Sequence, residues 1–588
     1  MTASLRVLGI SAFLDDPSAA LLIDGKIVAI AEEERFSRVK HGVRSYERVT
    51  FTTNEMMSPF VDVDVRLFPW KSIQFCLSEG CLDWKDLDFV ALSFDFPSIL
   101  RNPSRYARGF PGLPRGVLAR RRRAFRDYIR HLRSLCSRGR TRLVFVPHHD
   151  AHTAGACFSS TARRCNILTM DGMGEFEAVR LSTFNGFDFE TVSLSSLPHS
   201  VGRVYGAVTD FLGFRMNRDE EKVMALAGYG SDTFSSSFRA LVRTSPRGFR
   251  IQPRAFWTRE CEMGFLHPSP LPRILGVPKR PSSTSPLDSP YPDIARSLQE
   301  TLYRVTSHFI SQLDEVSGYR DLCLAGGVAL NCDNNGRILT TVPSVKNLWI
   351  QPQAGDSGAA LGAAYWVHFE ETGLAPEPMR HAFYGPGFSE EEVETVLRNS
   401  GVKYRRSADV SGEAAEHVGR GEIIGWFQGR AEAGPRALGS RSILAMPNDK
   451  TLSRRVNERI KHREPWRPFA PSVLEEQAET LLQTAARDRF MTIAVPVTQR
   501  GQKLLSGTTH VTGTTRAQTV PAGFHDSFRK VLEQVEKLTG VPALLNTSFN
   551  DAGEPIVNDP VDALRNFYTT GLDFLAIGPF VVKKRSEG

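Results

Sequence analysis

Leu5-Arg6-Val7-Leu8-Gly9-Ile10-Ser11, followed by Ala19-Ala20-Leu21-Leu22-Ile23-Asp24-Gly25-Lys26-Ile27-Val28-Ala29-Ile30, is the stretch on which the reading of the fold turns. Apolar residues fill both runs, and Asp24-Gly25 suits a two-residue hairpin turn, whose central positions take positive φ. The expected order is strand, polar loop, hairpin. Further strands are expected at Leu143–Val146, Asn166–Met170 and Asp321–Leu324, with a packed helix over Ala151–Phe158. Strands alternating with helical stretches put the chain in the α/β class.

Two of those strands end in chemistry. Asn166–Met170 runs into Asp171-Gly172-Met173-Gly174-Glu175, a carboxylate at a strand end followed by glycines that let the backbone close on a ligand. Asp321–Leu324 runs into Ala325-Gly326-Gly327-Val328-Ala329-Leu330-Asn331. There Gly326 and Gly327 allow close backbone approach and Asn331 lies where a helix can start, a junction that suits an anion or an adenosine. An ordinary tight turn uses such glycines equally well.

His148-His149-Asp150-Ala151-His152 and Ala354-Gly355-Asp356-Ser357-Gly358 add two imidazoles and an acid. On a helix, His148 and His152 project from one face and can reach one ion. A helix with histidines at its buried end is the competing reading of that pair alone. No glutamate lies between the two rings, so the zinc-peptidase pattern and its base are missing. Two imidazoles with one or two carboxylates leave open positions and suit iron(II) at least as well as zinc, which sets a class of site rather than a metal.

The chain has 588 residues, 41% of them hydrophobic, a length of several domains with material for real cores. Much of the excess positive charge, +8 overall, sits in Arg101–Arg142, which includes Arg120-Arg121-Arg122-Arg123. That run lacks the interleaved aromatics of a single-strand platform and reads as a solvated helix face or loop, so nucleic acid is not expected as a partner. Eight scattered cysteines with no C-x-x-C read as reduced thiols. With neither a signal-peptide pattern nor an 18-residue apolar run, a cytoplasmic protein without membrane attachment is expected, and a homo-oligomer is compatible. The Pro268–Pro292 piece is expected to be a surface excursion without regular elements.

Composition changes after Ala364. Gly373–Gly387, with Pro376, Pro378 and Pro386, reads as the connection between two domains, residues 1–372 and 388–588. The second half alternates again, with a strand at Ile423–Phe427, helices at Asp449–Ile460 and Phe524–Gly540, and a strand at Ala543–Leu545. Between them lie Gly429-Arg430, Gly434-Pro435-Arg436-Ala437-Leu438-Gly439-Ser440-Arg441, Lys461-His462-Arg463-Glu464, Arg467 and Thr515-Arg516. These cations are mixed with Gly, Pro and Trp rather than aligned on one helix face. Guanidinium forks and a lysine point charge are what recognition of several phosphates requires. No P-loop pattern is present.

The opening strand, loop and hairpin begins many actin-like ATPase domains, and from end to end the chain resembles the ATP-dependent carbamoyltransferases of antibiotic and nodulation-factor biosynthesis, the tobramycin and cephamycin O-carbamoyltransferases among them. The ordered segments that carry the resemblance include Leu8–Ala12, Glu32–Phe36, His148–His152, Asp171-Gly172, Lys222-Val223-Met224, Leu324–Asn331, Gln351–Gly362, Gly425–Ser442, Lys461–Pro471 and Leu545–Asn550. The resemblance implies an N-terminal actin-like (ASKHA) domain joined to a C-terminal YrdC-like α/β domain. It implies that the second converts carbamoyl phosphate and ATP, with Mg2+ accompanying the nucleotide, to carbamoyladenylate, and that the first passes the carbamoyl group to a hydroxyl of a small-molecule acceptor. By motif, His148, His152, Asp171 and Asp356 would hold iron(II) or another divalent metal, and Lys461, Arg516, Ser548 and Asn550 would surround the activating site. Arg463 and Arg467 join Lys461 and Arg516 as cations able to stabilise departing phosphates.

Two departures stand out. Where family members commonly have Tyr-His-Asp, this chain has Leu14-Asp15-Asp16, so Asp15 stands in place of a histidine that serves as base toward the acceptor. A buried aspartate of raised pKa can take that role; equally, the substitution can mark a different acceptor geometry or a weak enzyme. Asp219 stands where a glycine is usual. A tRNA threonylcarbamoyltransferase-like enzyme and a non-catalytic nucleotide-binding regulator are the rival readings. Salt-dependent tRNA binding would favour the first, and absence of pyrophosphate release the second.

Overall fold

The computed structural model describes residues 4–12, 15–42, 68–109, 115–136, 139–245, 248–256 and 270–584; Leu14, and with it part of the departure around Asp15, lies outside them. The chain forms two compact units, Met1–Glu33 with His41–Met379 and Glu34–Lys40 with Arg380–Gly588. Residues 373–387 are tied down on both sides of that division. Glu377 donates its N–H to the Gly25 carbonyl and Met379 to that of Ser159, whereas Gly385 donates to Ala431.

The first unit contains the same sheet twice. In one copy β1 (Arg6–Ser11) pairs antiparallel with β2 (Ser18–Ile23), which pairs antiparallel with β3 (Lys26–Glu32); on its other side β1 runs parallel to β4 (Phe89–Leu92), and β4 to β5 (Arg142–Phe145). The order is β3-β2-β1-β4-β5. In the other copy β6 (Cys165–Met170), β7 (Glu177–Phe184) and β8 (Phe189–Ser196) form the antiparallel meander, and β9 (Asp321–Ala325) and β10 (Asn347–Ile350) the parallel flank. A meander extended by two parallel strands, occurring twice, is the actin-like α/β architecture, and the hairpin at Asp24-Gly25 is where the sequence located it.

Helix α1 (Arg115–Cys136) carries the arginine run, with Phe125, Ile129 and Leu132 buried and Arg126, Arg130 and Arg133 exposed, so one face packs while the other is solvated. Helix α2 (His148–Ser159) packs on β6 and β9, and α4 (Ala359–Thr372), which follows α3 (Tyr291–Ser317), packs on β1 and β2. Glycine lets these layers close. A Cβ at Gly9 would sit 1.9 Å from the Ala360 carbonyl oxygen, and one at Gly362 1.9 Å from that of Ala151. Helix α2 is buried on nearly every side, which explains why it shows no clear apolar stripe.

Residues 270–292, the described part of the stretch Pro268–Pro292, are more ordered than their composition implies. Leu271–Leu275 is a short helix, and Arg280, 1% exposed, donates to the carbonyls of Leu212, Ser283, Ser285 and Pro286. A guanidinium can replace the hydrogen bonds of a missing regular element by gathering carbonyls around itself. Sequence periodicity carries no trace of that.

The second unit is built on a mixed sheet of eight strands, in the order β11-β18-β17-β12-β13-β16-β14-β15. These are Tyr404–Arg406, Phe580–Lys583, Phe574–Ile577, Ile424–Phe427, Arg441–Ala445, Ala543–Ser548, Ala470–Leu474 and Gln518–Val520 respectively. Strand β16 is three residues longer than the sequence indicated, and so carries Ser548 at its end. No described helix is long and apolar enough to cross a membrane.

Candidate metal centre and buried lysine site

Helix α2 begins at His148, so the rings of His148 and His152 rise one turn apart toward the end of β6, where Asp171 follows Met170. Asp356 arrives from the loop after β10. The ligand atoms of these four residues all lie within 4.8 Å of one another. His148 Nε2 is 2.9 Å from Asp171 Oδ2 and 3.4 Å from Asp356 Oδ1; His152 Nε2 is 3.1 Å from His148 Nε2 and 3.4 Å from Asp171 Oδ2. Both histidines are fully buried. Burial pushes the His148 imidazolium down, but its bonds to Asp171 and Asp356 more than reverse this and raise its pKa well above the usual value.

The surroundings orient the donors as a metal requires. His148 Nδ1 donates to the Ser93 carbonyl oxygen (3.1 Å), which turns Nε2 inward toward Asp171 as the atom a metal would take. The second oxygen of Asp171 accepts from the N–H of Gly172 (2.7 Å) and of Gly327 (3.1 Å). Gly326 takes φ 88°, and a Cβ there would lie 2.1 Å from the Met170 carbonyl oxygen. Its N–H donates to the Ala354 carbonyl. Thus the two glycines bring β9 and the Asp356 loop up against the end of β6. Asn331 caps the helix Cys332–Thr341 through Asn334 N–H (2.9 Å) and exchanges hydrogen bonds with Gln299, which also accepts from the Tyr205 hydroxyl.

Asp15 feels the charge of this cluster. Burial, then the charges of Asp16 and Asp356, push its pKa up to about 7 against the opposing effect of His41 and Arg218. Asp219 binds Arg215 and Lys222, so the residue that replaces the usual glycine is held in a local ion network.

In the second unit, helix α5 (Lys450–Val456) continues into one π-helical turn, Asn457–Lys461, that ends with His462 in the left-handed region. Such turns are uncommon and cluster at functional sites. Asn457 closes this one by binding the backbone of Arg463 through both side-chain ends. Lys461, 3% exposed, points its Nζ at the Ser548 carbonyl (2.7 Å) and hydroxyl (3.2 Å) and at the Asn550 carbonyl (2.9 Å) and Oδ1 (3.0 Å). Burial, followed by the charges of Arg463, Lys40 and Arg467, holds its pKa well below the usual lysine range. Arg463 donates to Thr547 Oγ1 (2.8 Å) and lies over the Phe469 ring; Arg467 pairs with Glu464.

Lys461, Ser548, Asn550 and Arg463 therefore form one constellation. Arg436 lies half-buried on the Gly434–Arg441 loop, and Arg516 half-buried before β15, its Nε withdrawn from solvent. Sequence reading passed over the buried framework of that loop. Glu432 Oε1 accepts the N–H groups of Leu438, Ser440 and Arg441, while Gln518 and Asn546 hold the carbonyls of Leu438 and Ala437. The Glu432 contacts lie within one irregular loop that has no period to read, and those of Gln518 and Asn546 span 80 and 109 positions, so residue spacing announces neither.

A duplicated actin-like unit with two histidines and two aspartates at its centre, and a second α/β unit around a buried lysine, define a two-unit α/β protein with a metal-type donor set. Family models described as carbamoyltransferase N-terminus and carbamoyltransferase C-terminus match residues 112–365 and 415–584, and the chain belongs to the carbamoyltransferase family. An uncharacterised protein of Synechocystis is 33% identical, over 99% of this chain and 97% of its own. Nodulation protein NolNO of Sinorhizobium fredii is 34% identical over 98% of this chain and 80% of its own, and NolO of Bradyrhizobium diazoefficiens 36% identical over 74% and 79%.

Proposed function

We propose that the second unit, read as YrdC-like, activates carbamoyl phosphate with ATP, and that the first transfers the carbamoyl group to a hydroxyl of a small-molecule acceptor. Water, carbamoyl phosphate and ATP give carbamoyladenylate, phosphate and pyrophosphate. The observation that carries the reading is the presence of a separate constellation in each unit, one rich in cations and one in metal-type donors.

In the activating unit Lys461 spends its N–H groups on Ser548 and Asn550, so it fixes the end of β16. That leaves the guanidinium groups of Arg463, Arg467 and Arg516 to meet phosphate oxygens and to stabilise the charge that grows on the departing pyrophosphate, which ATP brings with Mg2+. The positive charges of Arg463 and Arg467, which bear on the buried Lys461, raise the local potential for an anion.

In the transfer unit His148, His152, Asp171 and Asp356 would hold a divalent ion, iron(II) or a substitute, which when bound supplies Lewis-acid polarisation worth several kcal/mol. Asp15, ionising near neutrality, accepts the proton of the acceptor hydroxyl as it attacks the carbamoyl carbon. Asp171 is kept rigid by Gly172 and Gly327, so the donor set needs little rearrangement.

Pyrophosphate release from ATP, measured with and without carbamoyl phosphate, tests the reading directly. Release that depends on carbamoyl phosphate, with a carbamoylated hydroxyl as product, supports it. Release that ignores carbamoyl phosphate overturns it.

A further inference from the structure

The segment Asp171–Glu175 supplies a donor at its first residue, and its last residue has no part in the chemistry above. Glu175 is a buried carboxylate, 7% exposed. Its Oε1 accepts from the backbone N–H of Asp95 at 2.6 Å and of His148 at 3.1 Å, and its Oε2 lies 3.2 Å from the same His148 nitrogen. His148 is the first residue of α2, and the residue before it, Pro147, offers no side-chain cap. The exposed N–H groups of a helix start favour an anion. Here that anion comes from the loop that also carries Asp171.

The second contact matters as much. Asp95 lies two residues beyond Ser93, whose carbonyl receives the His148 Nδ1 proton. One carboxylate therefore holds both the backbone of His148 and the loop that sets its ring. Gly174 makes the approach feasible: a Cβ there would lie 3.0 Å from the His149 ring and 3.4 Å from the His148 Cβ.

We infer that Glu175 is a positioning residue for the metal centre, fixing the His148 imidazole through its backbone and through the Ser93 carbonyl. The inference rests on the reading of His148, His152, Asp171 and Asp356 as metal donors. Outer partners of this kind typically change metal affinity 10- to 100-fold when removed.

The test uses the full chain, freed of metal by chelation and titrated with Co2+, whose visible absorption reports ligand geometry. Glu175→Ala is expected to bind Co2+ roughly 10- to 100-fold more weakly and with a changed spectrum. Glu175→Gln keeps an acceptor oxygen for both N–H groups and is expected to recover most of the affinity and the wild-type spectrum. Circular dichroism reports folding. If Glu175→Ala does not fold, Glu175→Asp, too short to span Asp95 and His148 together, replaces it with the same expectation. Wild-type affinity and spectrum in the folded Ala or Asp variant overturn the positioning role. Failure of the wild-type protein to bind Co2+, or unaltered binding by His152→Ala, overturns instead the metal reading on which the role depends.

Discussion

Asp15→Asn is the most informative single change, because it removes a charge and leaves the shape. Burial and the neighbouring carboxylates of Asp16 and Asp356 bring Asp15 to a pKa of about 7. A base with that value is ionised to about one tenth at pH 6 and about nine tenths at pH 8, so a transfer step that needs its anion should accelerate roughly tenfold between them. The rate rises with pH because only the deprotonated form accepts the hydroxyl proton. Single-turnover transfer from preformed carbamoyladenylate to a hydroxyl acceptor, followed from pH 5.5 to 8.5, should show this limb. Asp15→Asn should flatten the limb and slow transfer by something like 10²–10⁴-fold, with carbamoyl-phosphate-dependent pyrophosphate release unchanged. Stability supplies a second readout. The folded-state pKa is raised, so the Asp15 contribution is fully present below the unfolded value and is lost as pH rises through about 7. The Asn variant, which cannot ionise, should melt higher than wild type at pH 8, by a margin that shrinks toward pH 4. A variant that keeps the wild-type pH limb and shows no gain in melting temperature would refute the reasoning.

Other outcomes follow from the same geometry. His152→Ala should lose the divalent ion that the purified protein is expected to contain in near-equimolar amount, as measured by elemental analysis; full occupancy in that variant contradicts the donor set. Lys461→Ala leaves oxygens of Ser548 and Asn550 without their shared donor, and should cut carbamoyl-phosphate-dependent pyrophosphate release by roughly two to three decades. Preformed carbamoyladenylate should rescue carbamoylation in Lys461→Ala but not in His148→Ala, which should still release pyrophosphate. Loss of release in both variants would argue for one composite site. Gly326→Ala requires a Cβ 2.1 Å from the Met170 carbonyl oxygen at a φ of 88°, and should destabilise the protein by about 2–4 kcal/mol in thermal or denaturant unfolding. A neutral result there would mean that β9 can shift away from β6 without cost.

What the sequence determined by itself was local chemistry and its order. Asp24-Gly25 located the hairpin because its dihedrals are a property of two residues, and His148 with His152 declared a shared face because helix periodicity is short-range. The D-G-x-G-E and A-G-G segments marked strand ends for the same reason. Which partners those residues meet was decided only in three dimensions. Asp171 and Asp356, 185 positions apart, converge because parallel pairing of β6 with β9, and of β9 with β10, delivers their loops to the same edge. Lys461 reaches Ser548 and Asn550 only through a π-helical turn that breaks the periodicity from which a helix is read. Arg280 shows the limit from the other side, since a proline- and serine-rich composition forecasts a loose excursion, while one guanidinium surrounded by carbonyls holds it in place. Sequence patterns report what a residue prefers within a turn or two of chain; burial, pKa and ligand geometry depend on neighbours that only the packed chain supplies.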